Sequence, residues 1–197
     1  MPWRSWRPIA AHCRRRLQSP ISRRMPHPPE HPAPHHSKAL REGRWSETWA
    51  CYAITKCLAR REPLLASPVP AELIISSLDY LRQSGDIRLL AFCIMPDHYH
   101  ALLFLVGQRS LSEVMNSLGK YTARRLNRIL GRCGQLWEEG FHDHRCRDDD
   151  DIEDRMAYIE HNPVRAELAA RAEDWRFSSA HSSQVGLVDR RWYAEVR

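Results

Sequence analysis

The sequence lacks the features that mark several large classes of protein. No stretch approaches the roughly 20 consecutive apolar residues needed to span a bilayer, so we expect no membrane partner. The arginine clusters near the start are followed by no apolar segment, so we also expect no signal peptide. None of the six cysteines forms a Cys-x-x-Cys pair, which argues against a zinc ribbon. Several cysteines lie within apolar runs, a pattern typical of reduced thiols in a cytoplasmic protein.

Acidic residues are scarce at the start of the chain, where basic residues are abundant. Residues 1–44 hold ten of the 30 Lys and Arg residues but two of the 24 acids, which leaves 20 bases and 22 acids for the rest. This segment also holds eight of the 13 prolines and shows no helical or strand periodicity. We therefore predict a disordered basic tail over residues 1–44, and any nucleic-acid binding by the remaining residues must rely on a local patch.

Hydrophobic periodicity beyond the tail predicts a mixture of strands and helices. Strands are predicted at residues 49–57, 87–93 and 98–106. A first helix is predicted at residues 71–83, and a second is framed by a Ser110/Glu113 capping box and by Gly131 after its end. Residues 134–147 are predicted to form a loop. A helix ended by Asn162-Pro163 and another reaching about residue 171 follow it.

Two histidines in the third predicted strand form the first candidate site. His98 and His100 follow the turn Met95-Pro96-Asp97 and are separated by one residue. Because side chains alternate along a strand, both imidazoles are expected on one face, where they could chelate a divalent metal. A His-x-His pair in a strand is also compatible with a purely structural role, so the spacing alone leaves both interpretations open.

The long predicted helix carries the second candidate site. Its apolar stripe consists of Leu111, Met115, Leu118, Thr122, Leu126 and Ile129. Tyr121 lies at the edge of that stripe. Between Val114 and Trp137 the sequence has no acid and five bases, which are Lys120, Arg124, Arg125, Arg128 and Arg132. Such a helix is typical of a surface that contacts phosphates, although packing for Tyr121 and solvation for the bases are simpler alternatives.

A histidine pair, a tyrosine and a basic helix together suit one reaction. A divalent cation on His98 and His100 would polarise a phosphodiester, and the Tyr121 oxygen would attack it to give a phosphotyrosine and a free sugar hydroxyl. The covalent link conserves the energy of the broken bond, so reversal onto a new strand end joins DNA. This chemistry favours cutting and rejoining over simple hydrolysis.

Four segments give the chain a resemblance to a known family. They are Met-Pro-Asp-His-Tyr-His at residues 95–100 and residues 117–128, 136–144 and 158–168. In order and spacing they resemble the single-tyrosine HUH transposases, within these the REP-associated tyrosine transposases, over residues 45–180. The resemblance implies an α+β fold, a ferredoxin-like antiparallel sheet with packed helices, to which we add a helical extension at residues 181–197. It also implies single-stranded or hairpin DNA as partner, a 5′-phosphotyrosine intermediate, and Mg²⁺ or Mn²⁺ as cofactor.

The resemblance also assigns roles to residues. It places the family's metal histidines on His98 and His100 and its nucleophile on Tyr121. Relatives can supply a third metal ligand one helical turn after the tyrosine, where this chain has Arg125. His142 and His144 are candidates for that role or for DNA contact. A hairpin-binding protein that has lost catalysis and a metal-dependent hydrolase of small phosphoesters therefore remain alternatives, and both a monomer and a homodimer remain open.

Two further features allow two interpretations each. The four aspartates at residues 148–151 could hold Mg²⁺, but their position favours stabilisation of the N-terminus of the helix that follows. Trp137 and Phe141 could stack on unpaired bases or pack in the core.

Overall fold

The computed structural model describes residues 46–196, so the predicted disorder of residues 1–44 lies outside the described residues. Within them, the strands are β1 (Cys51–Cys57), β2 (Ile87–Ile94), β3 (His98–Leu105) and β4 (His142–Arg145). They form one antiparallel sheet in the order β2–β3–β1–β4. The helices are α1 (Pro68–Gln83), α2 (Leu111–Ile129), α3 (Asp149–Arg165) and α4 (Arg190–Val196). No helix in this part of the chain is long and apolar enough to cross a membrane.

The order of the elements confirms the predicted α+β class. The chain runs β1, α1, β2, β3, α2, β4, and β1 and β3 occupy the centre of the sheet. This is the ferredoxin-like arrangement. Two α-helices and two short 3-10 helices, Ala172–Asp174 and Ser182–Leu187, follow this unit, and α4 lies within the helical extension predicted at residues 181–197.

Helices cover both faces of the sheet. On one face, α1 and α2 build a core with sheet residues that include Ile54 and Tyr99. On the other face, Ile159 of α3 and Tyr193 of α4 belong to a second core with Leu102. Because both faces are covered, nearly every residue of β2 is buried. The alternation of side chains along a strand therefore decides which helical layer each side chain meets.

The three predicted strands are confirmed, with bounds that differ by at most two residues. Helix α1 begins at Pro68, three residues earlier than predicted. Its prolines do not break it, because they lie in the first turn. Backbone N–H groups in the first turn of a helix have no carbonyl partner within the helix, so the N–H that proline lacks would not have formed a helical hydrogen bond.

Helix α2 begins and ends as the sequence predicts. The Ser110 hydroxyl accepts a hydrogen bond from the Glu113 backbone N–H at 3.3 Å, and the Glu113 carboxylate accepts one from the Ser110 backbone N–H at 2.8 Å. Gly131 follows the helix with φ of 61°, the left-handed conformation that glycine adopts without steric cost. The apolar stripe is buried up to Leu126, whereas Ile129 at the end of the helix is 45% exposed.

The predicted loop at residues 134–147 contains strand β4, which the sequence analysis missed. Its residues are His-Asp-His-Arg, so it has no hydrophobic alternation to reveal it. The strand pairs with β1 through backbone hydrogen bonds at the edge of the sheet, with His142 opposite Thr55. Edge pairing requires no apolar side chain, which explains why periodicity did not predict it.

Trp137, in the same segment, belongs to the core. It is 6% exposed, packs edge-on against Tyr99 with ring centroids 5.5 Å apart, and donates from Nε1 to the Thr122 hydroxyl at 3.0 Å. It is therefore not available to stack on an unpaired base. Phe141 is partly buried and packs against the same core.

Helix α3 continues through Pro163, so the prediction that Asn162-Pro163 ends one helix and starts another is wrong. Proline cannot donate to the carbonyl of Ile159, four residues earlier. The Asn162 side-chain amide approaches that oxygen at 3.4 Å and also donates to the Tyr158 carbonyl at 2.9 Å. The side chain thus compensates for the missing backbone donor, and the helix ends only at Arg165.

The aspartate run begins this helix, as its position indicated. Asp148 is the N-cap, and its side chain accepts a hydrogen bond from the Asp151 backbone N–H at 2.9 Å. The next three aspartates occupy the first turn, where negative charge is stabilised by the helix dipole.

Candidate functional site

His98 and His100 converge on the face of the sheet that α3 covers. Tyr99 between them points the opposite way and is buried among the side chains of the α1–α2 layer. The Nε2 atoms of the two histidines lie 3.1 Å apart. The predicted common face is therefore present, and both imidazoles direct a nitrogen to one point.

The other nitrogen of each imidazole is held by a polar side chain. Nδ1 of His98 donates to a carboxylate oxygen of Asp97 at 2.6 Å, and Arg61 contacts the other oxygen of that carboxylate at 3.2 Å. Nδ1 of His100 lies 2.8 Å from the hydroxyl of Thr55, the residue directly opposite it on β1. Because a carboxylate can only accept, Nδ1 of His98 carries a proton, and Nε2 is the nitrogen that remains to bind a metal.

This geometry fits a divalent metal. Two metal–nitrogen bonds of about 2.1 Å at a right angle separate the nitrogens by about 3.0 Å, close to the spacing of the two Nε2 atoms. Burial, followed by the neighbouring basic groups His98, Arg165 and Arg61, lowers the pKa of His100 to about 3 and keeps the His100 imidazole neutral. The hydrogen bond from His98 lowers the pKa of Asp97 and keeps it ionised as an acceptor. Neutral imidazoles oriented by outer partners are the usual form of histidine ligands.

Asp97 and Thr55 were not singled out from the sequence, and their contacts predict a measurable role. We expect Asp97→Asn and Thr55→Val each to weaken Mn²⁺ binding by about 10- to 100-fold, because such outer partners fix the ring orientation of a ligand. Isothermal titration calorimetry with Mn²⁺ measures this. Asp79→Asn on α1, at the opposite face of the sheet, is the control and should leave the affinity unchanged. Equal affinities for all the proteins would contradict the assigned role.

The structure does not bring Tyr121 to the histidine pair. Tyr121 lies on α2, in the layer on the other face of the sheet, and is 51% exposed. It lines a shallow groove with Arg109, Glu113, Asn116, Ser117, Lys120 and Arg124. The assignment of the nucleophile to Tyr121 therefore does not fit this geometry. Helical spacing correctly placed Tyr121 at the edge of a buried stripe, but it contains no information about which face of the sheet the helix covers.

A different tyrosine lies beside the histidines. Tyr158, in the middle of α3, has its ring centroid 6.2 Å from that of His100 in an edge-on arrangement, and it is 41% exposed. The guanidinium carbon of Arg165 lies 4.6 Å from the centre of the Tyr158 ring. Tyr158 is the first residue of the segment 158–168 that contributes to the resemblance, which assigns it no role. The sequence signal was present there, in a tyrosine followed one turn later by Asn162.

The predicted basic surface is present, but it faces away from the histidines. Arg124, Arg125 and Arg128 are exposed on α2 and Lys120 lines the groove beside Tyr121, whereas Arg132 forms an ion pair with Glu62. The cations whose charges act on His100 are instead Arg61 and Arg165.

The two histidines of β4 have separate environments. His142 is exposed and lies in the same cross-strand row as His100, with Thr55 of β1 between them. Two strand spacings separate their backbones by about 10 Å. His144 instead contacts the carboxylate of Asp151, with Nε2 2.8 Å from the oxygen. His142 therefore adjoins the site at its edge, and His144 belongs to a different cluster.

Comparisons with known proteins agree with this fold. The chain is 31% identical over 108 residues to a candidate REP-associated tyrosine transposase of Haemophilus influenzae, and the match covers 47% of this chain and 58% of that protein. It is 23% identical over 141 residues to the REP-associated tyrosine transposase of Escherichia coli K12, over 70% of this chain and 80% of that protein. The chain thus spans little more than half the length of the Haemophilus relative.

A solved structure and a family profile complete the comparison. The structure of a REP-associated tyrosine transposase bound to a REP hairpin superposes with a TM-score of 0.59 at 21% identity, over 75% of this chain and 87% of that one. This likeness supports the ferredoxin-like fold. The profile of the family described as Transposase IS200 like matches residues 48–162, which include both histidines and Tyr158. Because that match spans more than half of the 197 residues, the chain belongs to the Transposase IS200 like family.

Proposed function

We propose that the protein is a transposase that cleaves and rejoins single-stranded or hairpin DNA with Tyr158 as its nucleophile. The observation that carries this proposal is the position of the Tyr158 ring beside the imidazole of His100, whose Nε2 converges with that of His98. The Tyr158 side chain is partly open to solvent, so a DNA strand has access to its hydroxyl. Membership of the family supports the general activity, and the geometry supports the choice of residue.

The reaction is a transfer of a phosphodiester from sugar to tyrosine. The hydroxyl oxygen of Tyr158 attacks the scissile phosphorus, and the bond from phosphorus to the 3′ oxygen breaks. The phenol loses its proton, and the released strand takes one up to end in a 3′ hydroxyl, while the 5′ phosphate stays on Tyr158. Attack by another 3′ hydroxyl reverses these steps and joins a new strand. A divalent cation held by His98 and His100, Mg²⁺ or Mn²⁺, would supply Lewis-acid stabilisation of the charge on the phosphate.

Asn162 is the further residue that we assign to the metal site. It follows Tyr158 by one helical turn, the position at which relatives can supply a third ligand. Its amide nitrogen donates to the Tyr158 carbonyl, which leaves the amide oxygen to accept or ligate. Arg125 was an obstacle to metal binding only if Tyr121 was the nucleophile. With Tyr158 in that role, the main reason for expecting a protein without catalysis no longer applies.

Positive charge beside Tyr158 suits a DNA substrate. Arg165 lies against the Tyr158 ring, and Arg61 is linked through Asp97 to His98. Both guanidinium groups could contact phosphates on either side of the scissile bond. His142, at the edge of the site, is a further candidate for contact with DNA. The basic surface of α2 on the opposite side would then bind a different part of a hairpin, outside the site of cleavage.

Incubation of the full chain with a labelled pool of single-stranded hairpins tests this function. In Mn²⁺ or Mg²⁺ we expect a protein–DNA adduct that survives denaturing electrophoresis, and a chelator should abolish it. Proteolysis and mass spectrometry should locate the nucleotide on the peptide that contains Tyr158. Tight, salt-sensitive hairpin binding without an adduct would instead identify a protein that has lost catalysis. Turnover of small phosphodiesters that survives removal of Tyr158 would favour a hydrolase.

A further inference from the structure

A second group of metal-ligating side chains lies where β1 and β4 meet the start of α3. One ligand atom from each of His144, Cys146 and Asp151 falls within 4.8 Å of the others. Cys51 of β1 adjoins the group, because the backbone N–H of Cys146 donates to the Cys51 carbonyl at 2.9 Å. Two sulfurs, an imidazole and a carboxylate therefore meet at one edge of the sheet.

Strand register explains why these residues meet. His144 and Cys146 are separated by one residue, so their side chains share a face of the sheet. Continuation of the β1–β4 pairing places Cys51 opposite Cys146. Asp151 completes the group from the first turn of α3, where Asp148 caps the helix. Cys51 lies far from Cys146 in sequence and no Cys-x-x-Cys spacing exists, so the sequence analysis could not detect this arrangement.

The donor set matches the preferences of zinc. Zn²⁺ takes four ligands in a tetrahedron at about 2.0–2.3 Å, which places ligand atoms about 3.3–3.8 Å apart. The ligand atoms of His144, Cys146 and Asp151 lie within 4.8 Å of one another and can close to these values through small side-chain rotations. Thiolates favour zinc over magnesium or manganese.

We propose that Cys51, His144, Cys146 and Asp151 form a structural zinc site, distinct from the site at His98 and His100. The ion would replace the present hydrogen bond between His144 and Asp151. Its binding releases the two thiol protons, and the proton now shared along that hydrogen bond moves to Nδ1 of His144 or to solvent. Arg155 contacts the other oxygen of Asp151 at 3.3 Å. The oxygen that faces His144 also accepts the Arg147 backbone N–H at 3.2 Å and has a second lone pair for the metal.

The zinc site would stabilise the position of α3 against the sheet. It would join the central strand β1 and the edge strand β4 to the first turn of that helix. Tyr158 lies on the same helix, two turns beyond Asp151. The zinc ion would therefore hold in place the helix that carries the proposed nucleophile, although its own binding does not depend on that function.

Zinc binding by the full chain tests the proposal. We expect the reduced protein to retain one equivalent of Zn²⁺ against a chromophoric chelator, and the double variant His98→Ala/His100→Ala to retain it equally. Cys146→Ser should weaken binding by at least about 100-fold, because it removes a thiolate ligand. Cys133→Ser, which changes an exposed cysteine outside the group, is the matched control and should bind as the parent does. With Co²⁺ in place of zinc, sulfur-to-metal absorption bands should appear in the parent and in Cys133→Ser but not in Cys146→Ser.

The variant His144→Asn tests the zinc site without removal of a thiol. His144→Asn changes a half-exposed residue, and we expect it to lower zinc affinity even if Cys146→Ser does not fold, as judged by circular dichroism. Unchanged affinity in His144→Asn would overturn the proposal. Loss of zinc in the His98→Ala/His100→Ala protein would do the same, because the metal would then belong to the other site. A Cys51–Cys146 disulfide in the purified, unreduced protein, with no zinc bound after reduction, would identify a redox pair instead.

Discussion

Replacement of Tyr158 by phenylalanine is expected to abolish the covalent protein–DNA adduct. Phenylalanine keeps the ring beside His100 and Arg165 but has no hydroxyl oxygen to attack phosphorus. We expect strand cleavage to fall by at least about a thousandfold, the scale on which enzymes lose activity when their nucleophile is removed. Because the phosphate contacts are kept, hairpin affinity should stay within about threefold of the parent value. Denaturing gels with a labelled hairpin measure the adduct, and filter binding measures the affinity.

Tyr121→Phe is the matched control, since it makes the same chemical change on the other face of the sheet. This variant should form the adduct at the parent rate, because Tyr121 lies in a groove apart from the histidines. The reverse outcome, with an adduct in Tyr158→Phe and none in Tyr121→Phe, would return the nucleophile to the position implied by the resemblance. Loss of the adduct in both variants would show that each tyrosine is needed and would contradict the role assigned to Tyr158 alone.

The double variant His98→Asn/His100→Asn should lose metal-dependent cleavage. It removes both convergent imidazole nitrogens but keeps polar side chains of similar reach on the same face. Without the ion, charge on the scissile phosphate is not stabilised, and we expect the cleavage rate to fall by at least about a thousandfold, or about 4 kcal/mol. Single-turnover cleavage over a range of Mn²⁺ concentrations measures the rate.

His142→Asn controls for the loss of an imidazole near the site. Since β1 separates His142 from His100, this variant should keep the parent dependence on Mn²⁺ concentration and show a change only in DNA affinity. A shifted metal dependence in His142→Asn would place that histidine among the ligands. Parent-like cleavage by the double variant would rule out His98 and His100 as the metal site.

Local patterns predicted much of the sheet and one half of the candidate site. Three strands and the bounds of α2 follow from hydrophobic periodicity and capping, both of which depend on neighbouring residues. The common face of His98 and His100 follows from the geometry of a strand alone. Two features were not predicted, for physical reasons. Strand β4 pairs through its backbone at the sheet edge, so it needs no apolar pattern. Helix α3 continues beyond Pro163 because the Asn162 side chain replaces the missing backbone donor.

The nucleophile could not be chosen from local pattern. Tyr121 and Tyr158 both lie on helices, both are partly exposed, and both have arginines nearby in sequence. Neither the helical spacing nor the charge of a segment indicates which helix packs on the face of the sheet that holds the histidines. The resemblance covered both tyrosines and assigned the nucleophile to Tyr121, whereas the structure places Tyr158 beside His100.

Residue order alone was therefore enough to place two imidazoles on one face of a strand and to identify a basic helix, because these properties arise within a few consecutive residues. Only the tertiary structure decided that α3 rather than α2 covers that face, and so that Tyr158 lies beside His100. The same packing brings Cys51 beside Cys146 and brings His144 and Cys146 close to Asp151. Both arrangements have the same physical reason. Apolar helix layers are buried on opposite faces of one sheet, and this burial determines which residues distant in sequence become neighbours. The burial minimises the exposed apolar area of the whole chain, so it cannot be read from any one segment.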